Sequence, residues 1–130
     1  MEEFHVSTSR QYQVVDITAK VKEIVRKSGV KEGICLVYVP HATAAVTINE
    51  SADPEVGNDL LGALAAMVPE GKWRHDRIDD NAAAHIKAAI VGPSETIPVK
   101  DGQLLLGTWQ AIMLVDFDGP RRRRVAVQIQ

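Results

Sequence analysis

Clusters of β-branched and aromatic residues along the chain predict about seven short strands. Several of these clusters alternate loosely between apolar and polar residues, whereas the run Gly33–Val39 is continuously apolar and is typical of a strand buried on both faces. The pattern places strands at residues 4–8, 12–17, 33–39, 45–48, 96–99, 109–117 and 125–129. Turn residues such as Asp118-Gly119-Pro120 separate the last two strands.

Helical spacing of apolar residues predicts three helices. The first follows Ile17 and ends at Gly29, a residue suited to the left-handed conformation after a helix. The second runs from Pro54 to about Met67, with Asp53 as its N-cap. The third covers residues 81–91 after a cap at Asp79 or Asp80, with Ala82, Ile86, Ala89 and Ile90 on its apolar face.

These elements do not follow a regular strand–helix–strand order. The pattern therefore predicts an α+β fold, with a mostly antiparallel sheet and about three helices. A chain of 130 residues fits one domain, and no linker or composition shift divides it, so residues 1–130 are expected to form a single unit.

Charge and cysteine content narrow the class of protein. The 15 basic and 17 acidic residues give a net charge of −2, which argues against non-specific nucleic-acid binding. No stretch approaches the ~20 apolar residues that span a bilayer, and the acidic start Met1–His5 does not resemble a signal peptide. The one cysteine, Cys35, cannot form an internal disulfide and lies in an apolar strand. We therefore expect a cytoplasmic protein, no membrane partner and an inert thiol.

Three of the four histidines lie outside the predicted core. His41 follows a strand, His75 lies in a polar segment, and His85 shares a helix face with Asn81 four residues earlier. Three imidazoles around one cation are typical of catalytic zinc. No compact ligand motif is present, however, and surface or structural roles for the same histidines remain open at this point.

Two further segments combine polar residues with breaks in the apolar pattern. Asn49 and Glu50 end a strand just before a helix start, where an amide and a carboxylate could line a cleft, although Asp53 is explained by capping. Gly107 precedes Trp109 and Gln110 at the start of the longest strand. Gly107 is interpreted as a bulge with Trp109 in the core, or else the backbone and Gln110 line a pocket.

The run Arg121–Arg124 is the strongest charge feature of the chain. Alternation along a strand puts Arg121 and Arg123 on one face and the other two arginines on the opposite face. The guanidinium group matches phosphate geometry, so Arg121 and Arg123 are candidate ligands of an anionic substrate. The other two are interpreted as the solvated shoulder of a hairpin.

Read in order, these motifs resemble the YjbQ family, also named the secondary thiamine-phosphate synthase enzyme family. The matching segments span nearly the whole chain: Pro40–Ala44, Asn49-Glu50, Asp53-Pro54, His75, Asp80–His85, Gly107–Gln110 and Asp116–Arg121. The resemblance implies a sheet folded into a sandwich or barrel-like shape, homotrimeric assembly, and a cleft holding three histidines. The resemblance also implies a divalent metal, with zinc as the candidate, bound by His41, His75 and His85.

The resemblance also implies a transferase with weak, secondary thiamine-phosphate synthase activity. It would join hydroxymethylpyrimidine diphosphate to thiazole phosphate and release pyrophosphate. The expected catalytic residues are His41, His75, His85, Glu50 and Asn81, and the expected substrate-binding residues are Thr43, Asn49, Gln110, Arg121 and Arg123. Two alternatives stay open: a non-catalytic binding protein for a small anionic ligand, and a small zinc-dependent hydrolase.

Overall fold

Eight strands and four helices make up the computed structural model, which describes all 130 residues. The strands are β1 (Glu2–Ser7), β2 (Gln13–Asp16), β3 (Gly33–Tyr38), β4 (Ala44–Asn49), β5 (Ser94–Lys100), β6 (Gln103–Leu104), β7 (Ala111–Asp116) and β8 (Arg122–Ile129). The helices are α1 (Thr18–Ser28), α2 (Pro54–Met67), α3 (Asp76–Asp79) and α4 (Ala82–Val91). None of the four helices has the length and apolar character needed to cross a membrane.

The strands form two antiparallel sheets. One has five strands in the order β1-β8-β3-β5-β6, and the other has three in the order β2-β7-β4. In the central pairing of the larger sheet, Cys35 lies opposite Ile97 on one side and Ile129 on the other. One sheet is curled into a half-barrel. The predicted α+β class with antiparallel pairing is confirmed.

Two apolar clusters explain the burial pattern of the central strands. The larger cluster lies between the two sheets and α1, and includes Val37, Ile112 and Val127. The smaller cluster packs the other side of the three-stranded sheet against α2 and α4, and includes Val115. Because β7 contributes to both clusters, every one of its residues is buried, which accounts for its continuously apolar sequence.

The segment before β7 is a turn, so the prediction of a strand starting at Trp109 was wrong by two residues. The Gly107 N–H donates to Gln110 Oε1 (2.8 Å), and the Gln110 N–H donates to the Gly107 carbonyl oxygen (3.1 Å). These two bonds close the turn and leave the Trp109 side chain 66% exposed. The interpretation of Trp109 as a core residue is therefore wrong.

Helix α4 is rotated relative to the prediction and is preceded by an additional short helix, α3. Asp76 Oδ1, rather than Asp79 or Asp80, accepts the Ala82 N–H (3.0 Å), while Asp76 Oδ2 accepts the Trp73 N–H (3.0 Å). The buried side of α4 runs through Ala83, Ala84, Lys87 and Ala88, whereas Ile90 is exposed. The small alanine side chains allow α4 to pack close to β4. This contact, rather than the bulkier apolar side chains, determines which face of the helix is buried.

Candidate anion-binding cleft

An open cleft of about 700 Å³ lies where three loops meet. The loops are the β3–β4 connection, the α3–α4 junction and the β7–β8 turn. The predicted site residues on its wall are His41, Thr43, Asn81, His85, Arg121 and Arg123. The fold thus brings together residues from three distant parts of the chain.

A buried ion pair forms the floor of this cleft. Arg123 and Asp116 are 4% and 0% exposed, and two guanidinium nitrogens of Arg123 donate to the two carboxylate oxygens at 3.0 and 2.6 Å. Arg123 also donates to Thr43 Oγ1 (2.9 Å), and the Thr8 hydroxyl donates to Asp116 Oδ2 (2.7 Å). Burial raises the pKa of Asp116, but the hydrogen bonds from Arg123, the Asp118 N–H and Thr8 outweigh it and hold that pKa below the usual value.

His41 is fixed at the cleft wall by a backbone contact. Its Nε2 accepts the Arg124 N–H at 2.8 Å, so this nitrogen is unprotonated and Nδ1 carries the proton. Burial, followed by the positive charges of Arg123 and Arg124, lowers the pKa of His41. His41 is therefore a neutral imidazole near pH 7, with only the Nδ1–H free to contact a ligand.

Asn81 and Arg121 are joined through Asp118 in the β7–β8 turn. Asn81 Nδ2 donates to Asp118 Oδ2 (2.9 Å), and Arg121 donates to the same oxygen (3.2 Å) and to the Asp118 carbonyl oxygen (2.8 Å). The buried Asn81 Oδ1 has no hydrogen-bond partner. An unpaired buried acceptor is costly, so it marks a position where a ligand donor or a water would be stabilised.

The two histidines of the α3–α4 region contact each other. The His75 and His85 rings are edge to face, with centroids 4.7 Å apart. The buried His75 Nε2 has no hydrogen-bond partner and lies 3.5 Å from Asp79 Oδ2. His85 lines the cleft, whereas His75, a predicted site residue, does not.

The arginine run divides differently from the prediction. Arg123 lines the cleft, but its guanidinium is committed to Asp116 and Thr43 and is almost completely buried. Arg122 also lines the cleft, is exposed, and has no ion-pair or hydrogen-bond partner. Sequence reasoning missed Arg122 because alternation defines two faces of a strand without indicating which face packs inward.

Three predicted site residues lie elsewhere within the chain. Glu50 lines a separate pocket at the start of α2, and the Asn49 side chain accepts the Glu50 N–H (2.8 Å). Gln110 lines a third pocket beside α1. Their spacing along the chain gave no information on their distance from the histidines, because Asn49 and Glu50 lie at the end of β4 and Gln110 lies in the turn before β7.

The arrangement does not fit a three-histidine metal centre. No group of three or more His, Cys, Asp or Glu side chains is disposed to hold one ion. His41 Nε2 is occupied by the Arg124 N–H, and His75 and His85 meet ring to ring.

Sequence reasoning also missed Lys87, which is 1% exposed on α4. Its Nζ donates to the Tyr12 hydroxyl (3.2 Å), lies 4.4 Å from the Tyr12 ring centroid, and is 3.7 Å from Glu70 Oε1. These contacts compensate a buried ammonium group and tie α4 to the segment that leads to His75. The sequence does not distinguish Lys87 from the exposed lysines of α1; only its packing in the tertiary structure does.

The fold and cleft define a class of small α+β proteins with two antiparallel sheets and a cleft lined by imidazole and guanidinium groups. The family model described as UPF0047 protein YjbQ-like matches residues 2–130. The chain belongs to this YjbQ/UPF0047 family.

Relatives and solved structures agree with this assignment. The chain is 45% identical over 126 residues to a UPF0047 protein of Methanocaldococcus jannaschii, covering 97% of this chain and 91% of that protein. It is 37% identical to the UPF0047 protein YugU of Bacillus subtilis, covering 99% and 98%. A YbjQ-like protein from Sulfolobus solfataricus superposes with a TM-score of 0.96 at 45% identity, covering 98% of this chain and 94% of that one.

Proposed function

We propose that this protein binds a small phosphorylated molecule in the cleft and acts on it as a transferase of low activity. The observation that carries the proposal is the presence of Arg121 and Arg122 beside His41 and His85 on one open wall. Guanidinium groups recognise phosphate through paired N–H donors, and the imidazoles can exchange a proton with bound substrate.

The proposed reaction is the thiamine-phosphate synthase type. The ring nitrogen of thiazole phosphate attacks the methylene carbon of hydroxymethylpyrimidine diphosphate, and the carbon–oxygen bond to pyrophosphate breaks with its electron pair. Arg121 and Arg122 stabilise the negative charge that develops on the leaving group. His85 donates a proton to that group, and the Nδ1–H of His41 contacts a phosphate oxygen.

Binding is tested first, by calorimetric titration with pyrophosphate. We expect Arg122→Gln to raise the dissociation constant by about tenfold or more, since a charged hydrogen bond contributes about 1.5–3 kcal/mol. Arg124→Gln is the matched control, because Arg124 is half exposed on the same strand, lies 4.0 Å from Glu3 and does not line the cleft. Equal weakening by both variants would argue for unspecific charge attraction and against the cleft.

Turnover is tested by incubating the protein with both substrates and quantifying thiamine phosphate as its fluorescent oxidation product. We expect His85→Ala to abolish product formation with an unchanged melting temperature, whereas His5→Ala, on the exposed side of β1, retains it. Tight pyrophosphate binding without product in the wild type would instead favour the non-catalytic binding protein.

We also propose that subunits assemble as homotrimers. The proposal is supported by Ile34 and Tyr38, which are 53% and 43% exposed although they lie on the middle strand of the five-stranded sheet. Exposed apolar side chains in the centre of a sheet are typical of an interface. Light scattering should give three times 14.2 kDa, and Tyr38→Glu should reduce this mass.

A further inference from the structure

A second pocket, distinct from the cleft, lies between the end of α1 and the segment before β7. Its volume is about 720 Å³. The β5–β6 turn closes one side, where Gly102, with a φ of +76°, lies beside the Lys31 side chain. None of its lining residues is shared with the cleft.

The rim of this pocket carries an excess of unpaired positive charge. Lys22, Arg26 and Lys31 all line it, against one carboxylate, Asp101. None of the three cations has a carboxylate within ion-pair distance, whereas Lys27 on the same helix pairs with Glu23 at 2.9 Å. Three free cations around one concavity attract an anion more strongly than the same charges on a flat surface.

Hydrogen-bond donors accompany the charges. The turn bonds fix Gln110 Oε1 on the Gly107 N–H, which leaves the Gln110 amide nitrogen without a protein partner. The Thr108 hydroxyl also has none, and both residues line the pocket. Two carbonyl groups at the end of α1 are already satisfied, because those of Val25 and Arg26 accept the Ser28 hydroxyl and the Gly29 N–H.

The pocket also has an apolar wall, formed by Val25, Val30, Leu104 and Leu106. Trp109, between the lining residues Thr108 and Gln110, is 66% exposed. An exposed indole next in sequence to two lining residues is suited to stacking on a flat ring. Inorganic anions alone would leave this apolar surface uncovered.

We propose that this pocket binds a phosphorylated molecule with a flat ring, of the nucleoside monophosphate class. The phosphate lies against Arg26 and Lys31, and the ring packs on the apolar wall and Trp109. This site gives a role to the exposed turn at residues 107–110, none of which lines the cleft.

The test uses calorimetric titration of the intact protein with adenosine monophosphate, adenosine and inorganic phosphate. We expect adenosine monophosphate to bind saturably and both fragments to bind at least about tenfold more weakly. Arg26→Gln/Lys31→Gln should raise the dissociation constant about tenfold or more, and Trp109→Ala about fivefold or more. In the Trp73→Phe variant, Trp109 is the one remaining tryptophan, and its fluorescence should change on binding.

Two control variants decide where the ligand binds. Lys20→Gln/Lys27→Gln makes the same change in charge on the other side of α1 and should alter the dissociation constant less than about twofold. Arg121→Gln/Arg122→Gln in the cleft should be equally silent. No saturable binding, or equal weakening by the two α1 double variants, overturns the proposal. Loss of binding only in the cleft variant also overturns it, while leaving the proposed function intact.

Discussion

Removing the negative charge beneath the cleft should destabilise the protein strongly. Asp116→Asn keeps the shape of the side chain but leaves the guanidinium of Arg123 without a counter-charge at 4% exposure. Both carboxylate oxygens are used, and Thr8 and the Asp118 N–H complete their hydrogen bonds. Breaking a buried pair by removing one partner costs about 3–5 kcal/mol. For a chain of this length, about 4 °C per kcal/mol gives a fall in melting temperature of about 12–20 °C.

The assay is urea unfolding followed by circular dichroism, with Asp59→Asn as the control. Asp59 is exposed on α2 and has no ion-pair partner, so the same chemical change should leave the midpoint unchanged there. Arg123→Met added to Asp116→Asn should restore part of the loss, because no unpaired charge then remains buried. An Asp116→Asn free energy of unfolding within about 1 kcal/mol of wild type, with the same denaturant slope, would refute this reasoning.

The same variant has a pH signature. The pKa of Asp116 is lowered in the folded protein, so its charged form stabilises the fold above the pKa of the unfolded chain. This contribution is lost as the pH falls through the lowered folded-state value. Wild type should therefore lose stability steeply in acid, and Asp116→Asn should lack that part of the slope.

Three further outcomes test the local geometry. The lowered pKa of His41 means that the unfolded chain binds more protons than the folded protein just below the ordinary pKa of 6.5, so stability should fall as the pH drops below that value. His41→Asn should flatten this slope in urea unfolding. Burial raises the pKa of Cys35 to about 11, so its thiol should react with Ellman's reagent only after unfolding. A Cβ at Gly33 would collide with the carbonyl oxygen of Gln130, so Gly33→Ala should lower the free energy of unfolding by about 1–3 kcal/mol. Gly62→Ala, in open space on α2, should raise it by about 0.5–1 kcal/mol in the same assay.

The sequence by itself determined the local elements and the general class. Gly29 and the Asp53-Pro54 pair set helix ends as expected, because capping depends on neighbouring backbone geometry. Cys35 and Val37 of β3 are buried, because burial of apolar surface dominates strand placement, but Ile34 and Tyr38 on the opposite face are exposed, so the prediction of a strand buried on both faces is wrong. His85 shares the cleft wall with Asn81, as helical periodicity requires.

Tertiary structure alone decided which polar side chains meet and which are buried. Four identical arginines follow one another, yet Arg123 is enclosed while Arg122 is free, because only the position next to Asp116 on β7 supplies a buried counter-charge. Lys87 enters the interior for the same reason, through Tyr12 and Glu70. Burying a charge is unfavourable unless a partner from another element compensates it, and such partners are brought together by the pairing of sheets and helices rather than by neighbouring sequence.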